Sequence, residues 1–443
     1  MGREQQRIKK QMEKNPVMEC NLIQKRFAGS LFEDFSKTTD SRHSSYIDYS
    51  NKMLLGTLYY KGIAGISSMQ SMTSEFNQKN IANNISRFLK EEETDYLPHG
   101  VTINEYLAGV KPDELQEIQQ KQVYEMIRRK TFDGERFLKK WLVIVDGTQL
   151  YSGSRKLNDK CLERHYNKGT EEESVNYHID VLEAKIVFGE KLIVSIGSEF
   201  IENNGEDAKH QKRMNPEQIK QDCEIKAFGR LAEKIKKRFP RLPITILADG
   251  LYAAEPVFDI CAENRWDYII RYKEGSIPSI EEEYRNISEK EISGNAEYIN
   301  EISYKRKKLN VLKYHEAKKR GNETVVTKFQ WITNIKITKK NAEKIASSGR
   351  KRWKIENEGF NRQKNWQGDI THACSFNESA IKNHYFMMQI SDMIKQLYEW
   401  FFLRANEIKK MQKNISSELL ASFGRQLTRE DISKTDMQGI SKT

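Results

Sequence analysis

The stretch WLVIVDGT, residues 141–148, runs apolar residues straight into Asp146-Gly147. An Asp-Gly pair after a strand commonly closes a tight hairpin, so Asp146 is either turn chemistry or an acid carried to the end of a strand. A second stretch bears on the choice. ITILADG, residues 244–250, is again an apolar strand that ends in Asp-Gly. Open sheets place ligand sites at the carboxyl ends of their strands. If the two strands are neighbours, Asp146 and Asp249 stand side by side. Paired carboxylates repel unless a divalent cation neutralises them.

The rest of the composition narrows the partner. The chain has 443 residues and a formal net charge of +11, with 37% hydrophobic and 31% charged residues. That length can bury a large core in two or three domains, and the positive balance favours a polyanion such as DNA, RNA or an anionic membrane surface. No run approaches the roughly 18 apolar residues of a membrane span. MGREQQRIKKQMEKN, at the start, has no apolar core behind its charges, so a cytoplasmic location is expected. The cysteines Cys20, Cys161, Cys223, Cys261 and Cys374 are scattered, which suggests reduced thiols. Cys161, His165 and His178 are a secondary expectation for structural zinc, although no CxxC or HxxxH pair accompanies them.

Hydrophobic periodicity divides the chain into five parts. Residues 1–138 read as a helical domain that binds DNA or braces the catalytic core. Within it, residues 44–89 suggest short helices broken near Gly62 and Gly65, as packing helices or a helix-turn-helix. Residues 139–275 alternate strand, hairpin, helix, strand, helix, strand, the pattern of a mixed sheet with helices packed on it. The hairpin turns at Gly189-Glu190. Residues 276–337 have period-two patterning rich in Lys and Arg, expected as a small basic β-rich insertion. Residues 338–414 resume the core with a long charged helix over 339–366 and an amphipathic helix over 378–414. Residues 415–443 read as a flexible tail.

The long charged helix supplies a third acid. Arg352 and Glu356 are four residues apart and share a face, with Lys364 about two turns beyond. Glu358 falls about 200° around from Glu356, so only one of them can join the site. An exposed ion pair between Arg352 and Glu356 is the plainer alternative. Three carboxylates on two strands and a helix can hold two Mg²⁺ ions, with Mn²⁺ as a substitute, and such a pair supports in-line phosphoryl transfer.

These blocks resemble the DDE transposases of bacterial insertion sequences. DGTQLYSG resembles their first-Asp block, and ADGLYAAEPVFDICAENRWDYIIRYKEGS their second, with its D-G-x-Y pattern. GRKRWKIENEGFNRQKN resembles the third block, written Y-x2-R-x3-E-x6-K. The resemblance covers about residues 139–400 and implies an α/β (mixed) fold: an RNase H-like core with a β-rich insertion before the catalytic Glu, preceded by a helical domain and followed by a long C-terminal helix. It implies Asp146, Asp249 and Glu356 as catalytic, metal-binding residues and Arg352 as the arginine of the third block. Two positions depart from the pattern. Gly349 stands where the family has tyrosine, and the lysine falls one residue late at Lys364, with Gln363 in the expected place. Arg350, Lys354 and Trp366 are further DNA-contact candidates, Trp366 by stacking on a base. The basic runs at Lys234–Arg238, Lys305–Lys308, Lys318–Arg320 and Arg350–Lys354, with Tyr304, Tyr314 and Trp331 among or near them, suit a DNA track; solvated surface is the plainer alternative. The implied partner is double-stranded DNA, both transposon ends and target, held by a homodimer. The implied activity is cleavage at terminal inverted repeats and joining of 3′-OH ends. A nuclease on the same core and a non-catalytic DNA-binding descendant are the rival functions.

Overall fold

The structure, a computed structural model, describes residues 15–202, 216–273, 277–320, 323–428 and 430–432. It opens with helices α1 (Pro16–Phe27), α2 (Leu31–Ser36), α3 (Asn51–Ala64), α4 (Met69–Phe76), α5 (Lys79–Leu89), α6 (Gly100–Gly109) and α7 (Pro112–Arg128). Helix α3 is buried along most of its length and does not break at Gly62. A methyl group there would collide with Ser391 at 2.5 Å, so this glycine lets two helices approach closely. The stop comes at Gly65, whose φ of +70° closes the helix in the left-handed conformation.

The sheet begins at residue 141. β1 (Trp141–Gly153), β2 (Leu162–Tyr166), β3 (Ser174–Val187) and β4 (Ile193–Ile201) are joined antiparallel, with β2 and β4 both on β3. After α8 (Pro216–Arg238), β5 (Ile244–Ala248) lies parallel to β1, and after α9 (Glu255–Asn264), β6 (Asp267–Arg271) lies parallel to β5. The core order β4-β3-β1-β5-β6, an antiparallel meander followed by two parallel strands, is the RNase H-like arrangement within a mixed α/β fold. All five β5 residues are buried, as a strand covered on both faces requires, and each of Ile244, Ile246 and Leu247 contributes about 1.5–3 kcal/mol by burial. The edge of β4 is covered from α7: Gln116, Gln119 and Gln120 donate to the carbonyls of Ser198, Ser195 and Ile196 at 3.2, 3.0 and 2.9 Å. This side-chain capping prevents edge pairing with another strand.

Beyond β6 the β-rich insertion is present, and the two long helices and the tail depart from expectation. The basic segment begins with helix α10 (Pro278–Asn286), then β7 (Glu291–Ser293), β8 (Ala296–Tyr304), β9 (Lys307–Arg320) and β10 (Glu323–Thr333). The segment is β-rich as expected, and it is continuous with the core sheet, because β10 pairs antiparallel with β6 and carries that sheet onward through β9, β8 and β7. The expected single helix over 339–366 is α11 (Ala342–Arg350), a 3₁₀ turn (Lys351–Trp353), a π-helical turn (Ile355–Phe360) and α12 (Asn361–Asn365). The expected helix over 378–414 is α13 (Glu378–Tyr398), ending in π and 3₁₀ turns up to Asn406, and a second helix, α14 (Gln412–Phe423). Residues 415–423 are therefore no flexible tail: Ile415, Leu419 and Phe423 are buried, and Phe423 meets Tyr60 edge-on at 5.4 Å. The remainder of that expectation, residues 433–443, lies outside the described residues, as do residues 1–14 and the side chains of Cys223 and Lys318–Arg320. Cys20, Cys161, Cys261 and Cys374 are free thiols.

Candidate active site

The first acid does not sit in a turn. β1 runs through Asp146-Gly147 to Gly153, paired with β3 all the way, whereas its ladder with β5 stops at Ile144↔Leu247. Two residues beyond that last pair are Asp146 and Asp249, level with each other where the strands part. Strands paired in this way lie about 4.8 Å apart. Asp249 comes directly after β5 and caps a short 3₁₀ turn, its Oδ1 accepting from the Leu251 amide at 2.9 Å. Glu356 comes from the π-helical turn, which packs on β1 and β4. A π turn shifts the helix register locally and often marks functional positions.

The electrostatics report how close these groups are. The Asp146 carboxyl is pushed up to about 6, chiefly by burial, with the negative charges of Asp249 and Glu356 adding to the rise. Arg352 opposes it through an ion pair of 3.0 Å to Asp146 Oδ2, and the Gly147 amide donates to Oδ1 at 3.1 Å. The Glu356 side chain makes no hydrogen bond or ion pair among the described residues. Arg352 lies over the exposed Trp353 ring at 4.5 Å, and its Nε is buried with no hydrogen-bond partner. Glu358 points elsewhere, pairing with Lys354 at 3.6 Å.

The donor set is oxygen-only, which suits a hard divalent cation, and the mutual repulsion that lifts Asp146 is what such a cation relieves. As the side chains stand, no three His, Cys, Asp or Glu groups among the described residues gather closely enough to hold an ion; the Asp146 carboxylate is turned onto Arg352. The zinc expectation is corrected too. His178 pairs with Asp180 at 3.1 Å, His165 with Glu173 at 3.4 Å, and Cys161 is wholly buried, so the three form no common group.

Residues 221–388 match a family model described as a Transposase DDE domain. Over that span the chain is similar to the DDE transposase domain. Asp249 and Glu356 lie inside the matched span and Asp146 before it. Among solved structures, the chain is similar to a piggyBac transposase synaptic complex with hairpin DNA, determined by cryo-EM, with a TM-score of 0.42 and 10% identity; the match covers 95% of this chain and 81% of that one. No curated protein sequence matches.

Both departures from the DDE pattern have physical reasons. A side chain at Gly349 would run into the Trp331 indole, so the space a tyrosine would take is filled from β10. Trp331 is 2% exposed and therefore packs rather than touching DNA. Gln363 is wholly buried, its amide donating to Gln389 Oε1 at 2.8 Å and Asp392 Oδ2 at 2.9 Å. Lys364 is partly exposed, with its ammonium 6.0 Å from the Phe360 ring centre. Trp366 is exposed, beside Gly65 and Ser416 rather than among the acids. Arg350 pairs with Glu316, and Lys354 reaches the Glu190 carbonyl. Several cations of the supposed DNA track are likewise paired: Lys234 with Glu199, Lys305 with Glu255, Lys307 with Asp259 and Lys308 with Glu301.

Two residues near the acids escaped the sequence reading. Arg271, at the end of β6, is held below its usual pKa by burial and by the charge of Arg352, while Asp249 partly restores it. Glu224, on α8, is 7% exposed, and its Oε2 accepts from the Tyr252 hydroxyl at 3.3 Å. A methyl group at Gly147 would meet Glu224 Oε1 at 3.2 Å, so a carboxylate stands against that strand position.

Proposed function

We propose that this chain is an insertion-sequence transposase that binds terminal inverted repeats, cleaves DNA at them and joins the 3′-OH ends to target DNA. The observation that carries this reading is the convergence of Asp146, Asp249 and Glu356 at the point where β1 and β5 part, in a chain similar over residues 221–388 to the DDE transposase domain. Two divalent cations, Mg²⁺ or Mn²⁺, would be held by these three carboxylates, and when bound they supply Lewis-acid activation of the attacking oxygen and charge relief at the leaving one. The chain's own contribution is positioning and electrostatics. Arg352, with an unsatisfied buried Nε beside Asp146, is suited to a phosphate oxygen once the acids take up cations. Lys364, Arg350 and Lys354 would add backbone charge contacts, and Trp366 a stacking surface. We place the protein in the cytoplasm at the nucleoid, acting as a homodimer on two ends. No helix among the described residues is long and apolar enough to cross a membrane.

The test uses duplexes that carry the element's terminal repeat, with Mg²⁺ or Mn²⁺. Asp146→Ala, Asp249→Ala and Glu356→Ala each abolish cleavage and leave end binding in place; a triple variant that still cuts overturns the reading. Supplied with pre-cleaved 3′-OH ends, the wild type inserts them into a second duplex. Cutting without joining identifies a nuclease instead.

A further inference from the structure

Two helices bring arginines together at the end of the sheet opposite the acids. On α7, Gln116, Gln119 and Gln120 donate to the carbonyls of Ser198, Ser195 and Ile196, so the helix runs against β4. It therefore ends where β4 begins, which through β3 is also the starting end of β1. Helix α8 ends just before β5 begins. The two helix ends meet through Tyr124 and Phe239, whose ring centres are 6.4 Å apart. Asp146 is five residues into β1 from Trp141, about 17 Å along the strand at roughly 3.3 Å per residue. The cleft between the helix ends is thus a place separate from the candidate active site.

We propose that this cleft is a second DNA-contact surface, which grips the phosphodiester backbone of a duplex without reading its sequence. The proposal rests on DNA being the substrate. Three features converge on it. Lys121, Tyr124, Glu125, Arg128, Arg129 and Arg238 line the cleft, four cations against one acid. Lys121 is committed to Asp34 at 2.6 Å, but Arg128, Arg129 and Arg238 form no ion pair among the described residues. Gathered cations without carboxylate partners in the chain favour an anion from outside. The basic runs elsewhere differ, since Lys234, Lys305, Lys307 and Lys308 are each paired with an acid. Arg238 Nε is moreover buried with no acceptor, a costly state for a donor until something accepts from it. Arg128, finally, lies against the 40% exposed Tyr124 ring, 6.0 Å from its centre. A guanidinium stacked on an aromatic face keeps its in-plane donors available to phosphate.

The test measures binding of the full-length protein to duplex DNA by fluorescence anisotropy over a range of salt, with a thermal melt alongside. One duplex has arbitrary sequence and the other carries the element's terminal repeat. Each phosphate contact contributes about 0.9 to the slope of log K against log salt. The variant Arg128→Gln, Arg129→Gln, Arg238→Gln lowers that slope by roughly 2–3, and by the same amount on both duplexes, because phosphate contacts carry no sequence information. Should it fail to fold, Arg128→Gln with Arg129→Gln alters two exposed side chains only and lowers the slope by about 2. A wild-type slope overturns the proposal, and so does a loss confined to the repeat-bearing duplex. Cations in the last turn of a helix also offset its dipole; if that is their whole role, the melt falls and the slope does not. If the wild type binds neither duplex, the transposase reading fails and the cleft falls with it. If the wild type binds and cuts while the variants keep its slope, the cleft alone fails.

Discussion

Two clusters of charge lie along the helical path from Arg352 to Glu399, and they are built to opposite rules. In one, Arg362 is almost fully buried and saturated. Its Nε donates to Asp392 at 2.6 Å, Nη2 and Nη1 grip Glu399 at 2.7 and 2.9 Å, and Gln412 accepts at 2.6 Å. One cation faces two carboxylates, and every donor nitrogen has a partner. In the other, Arg352 pairs with Asp146 alone, the Asp146 carboxyl is pushed up by burial and by the charges of Asp249 and Glu356, the Glu356 side chain is unpaired among the described residues and Arg352 Nε is orphaned. The first cluster ties α12 to α13 and α14. The second holds unresolved repulsion at one spot. Functional sites commonly store destabilisation of this kind, and the contrast separates a charge network that fastens helices from one suited to a ligand.

The largest effect expected from this contrast is on chemistry. Asp249→Asn or Glu356→Gln reduces end cleavage to the uncatalysed background in gel assays, whereas Gln412→Ala, at the saturated cluster, leaves cleavage measurable. Next comes stability. Arg362→Ala strands Asp392 and Glu399 in the interior and costs about 3–5 kcal/mol in urea unfolding; a loss below about 1 kcal/mol shows that the cluster is not holding the helices. A smaller effect of opposite sign is expected at the acids. The Asp146 pKa is raised from 3.8 to about 6 in the folded, metal-free protein. Below about pH 4 the group is protonated whether folded or not, so it imposes no penalty. Between pH 4 and 6 the unfolded chain releases the proton first, and stability falls as pH rises. At pH 7 in EDTA, Asp146→Asn therefore stabilises the fold by roughly 3 kcal/mol, and near pH 3.5 the gain vanishes; equal gains at both pH values argue against a charge penalty. The smallest effect is at Lys364. Its replacement by Ala shifts unfolding by less than about 0.5 kcal/mol and lowers the salt slope of DNA binding by about 1. An unchanged slope removes Lys364 from the phosphate track.

Much of this arrangement was legible in the chain. Two apolar runs ending in Asp-Gly marked two buried strands, because buried parallel strands leave a continuous hydrophobic signature; that they are neighbours is settled by the β1–β5 ladder. Local chemistry misled at Asp146-Gly147: the dipeptide favours a turn, but pairing with β3 continues through it, and tertiary hydrogen bonding outweighs propensity. Glu224 gave no signal, since one glutamate on a charged helix looks like any other until the fold sets it against Gly147. The π turn at Glu356 was equally hidden, because hydrophobic spacing does not resolve one extra residue per turn. Runs of Lys and Arg overstated the free positive surface, since the acids that pair with several of them come from distant segments.

The meeting of Gly349 with Trp331 has an evolutionary corollary. One is a missing side chain on the helix before Glu356, the other a large one supplied by β10, and each makes sense only in the presence of the other. Neither can drift alone: a tyrosine restored at 349 collides with the indole, and a small residue at 331 leaves a hole beneath the helix. The strand and the helix therefore fit each other as a matched set. Chimaeras between this chain and a relative that keeps the tyrosine should place their crossover points so that both positions come from the same parent.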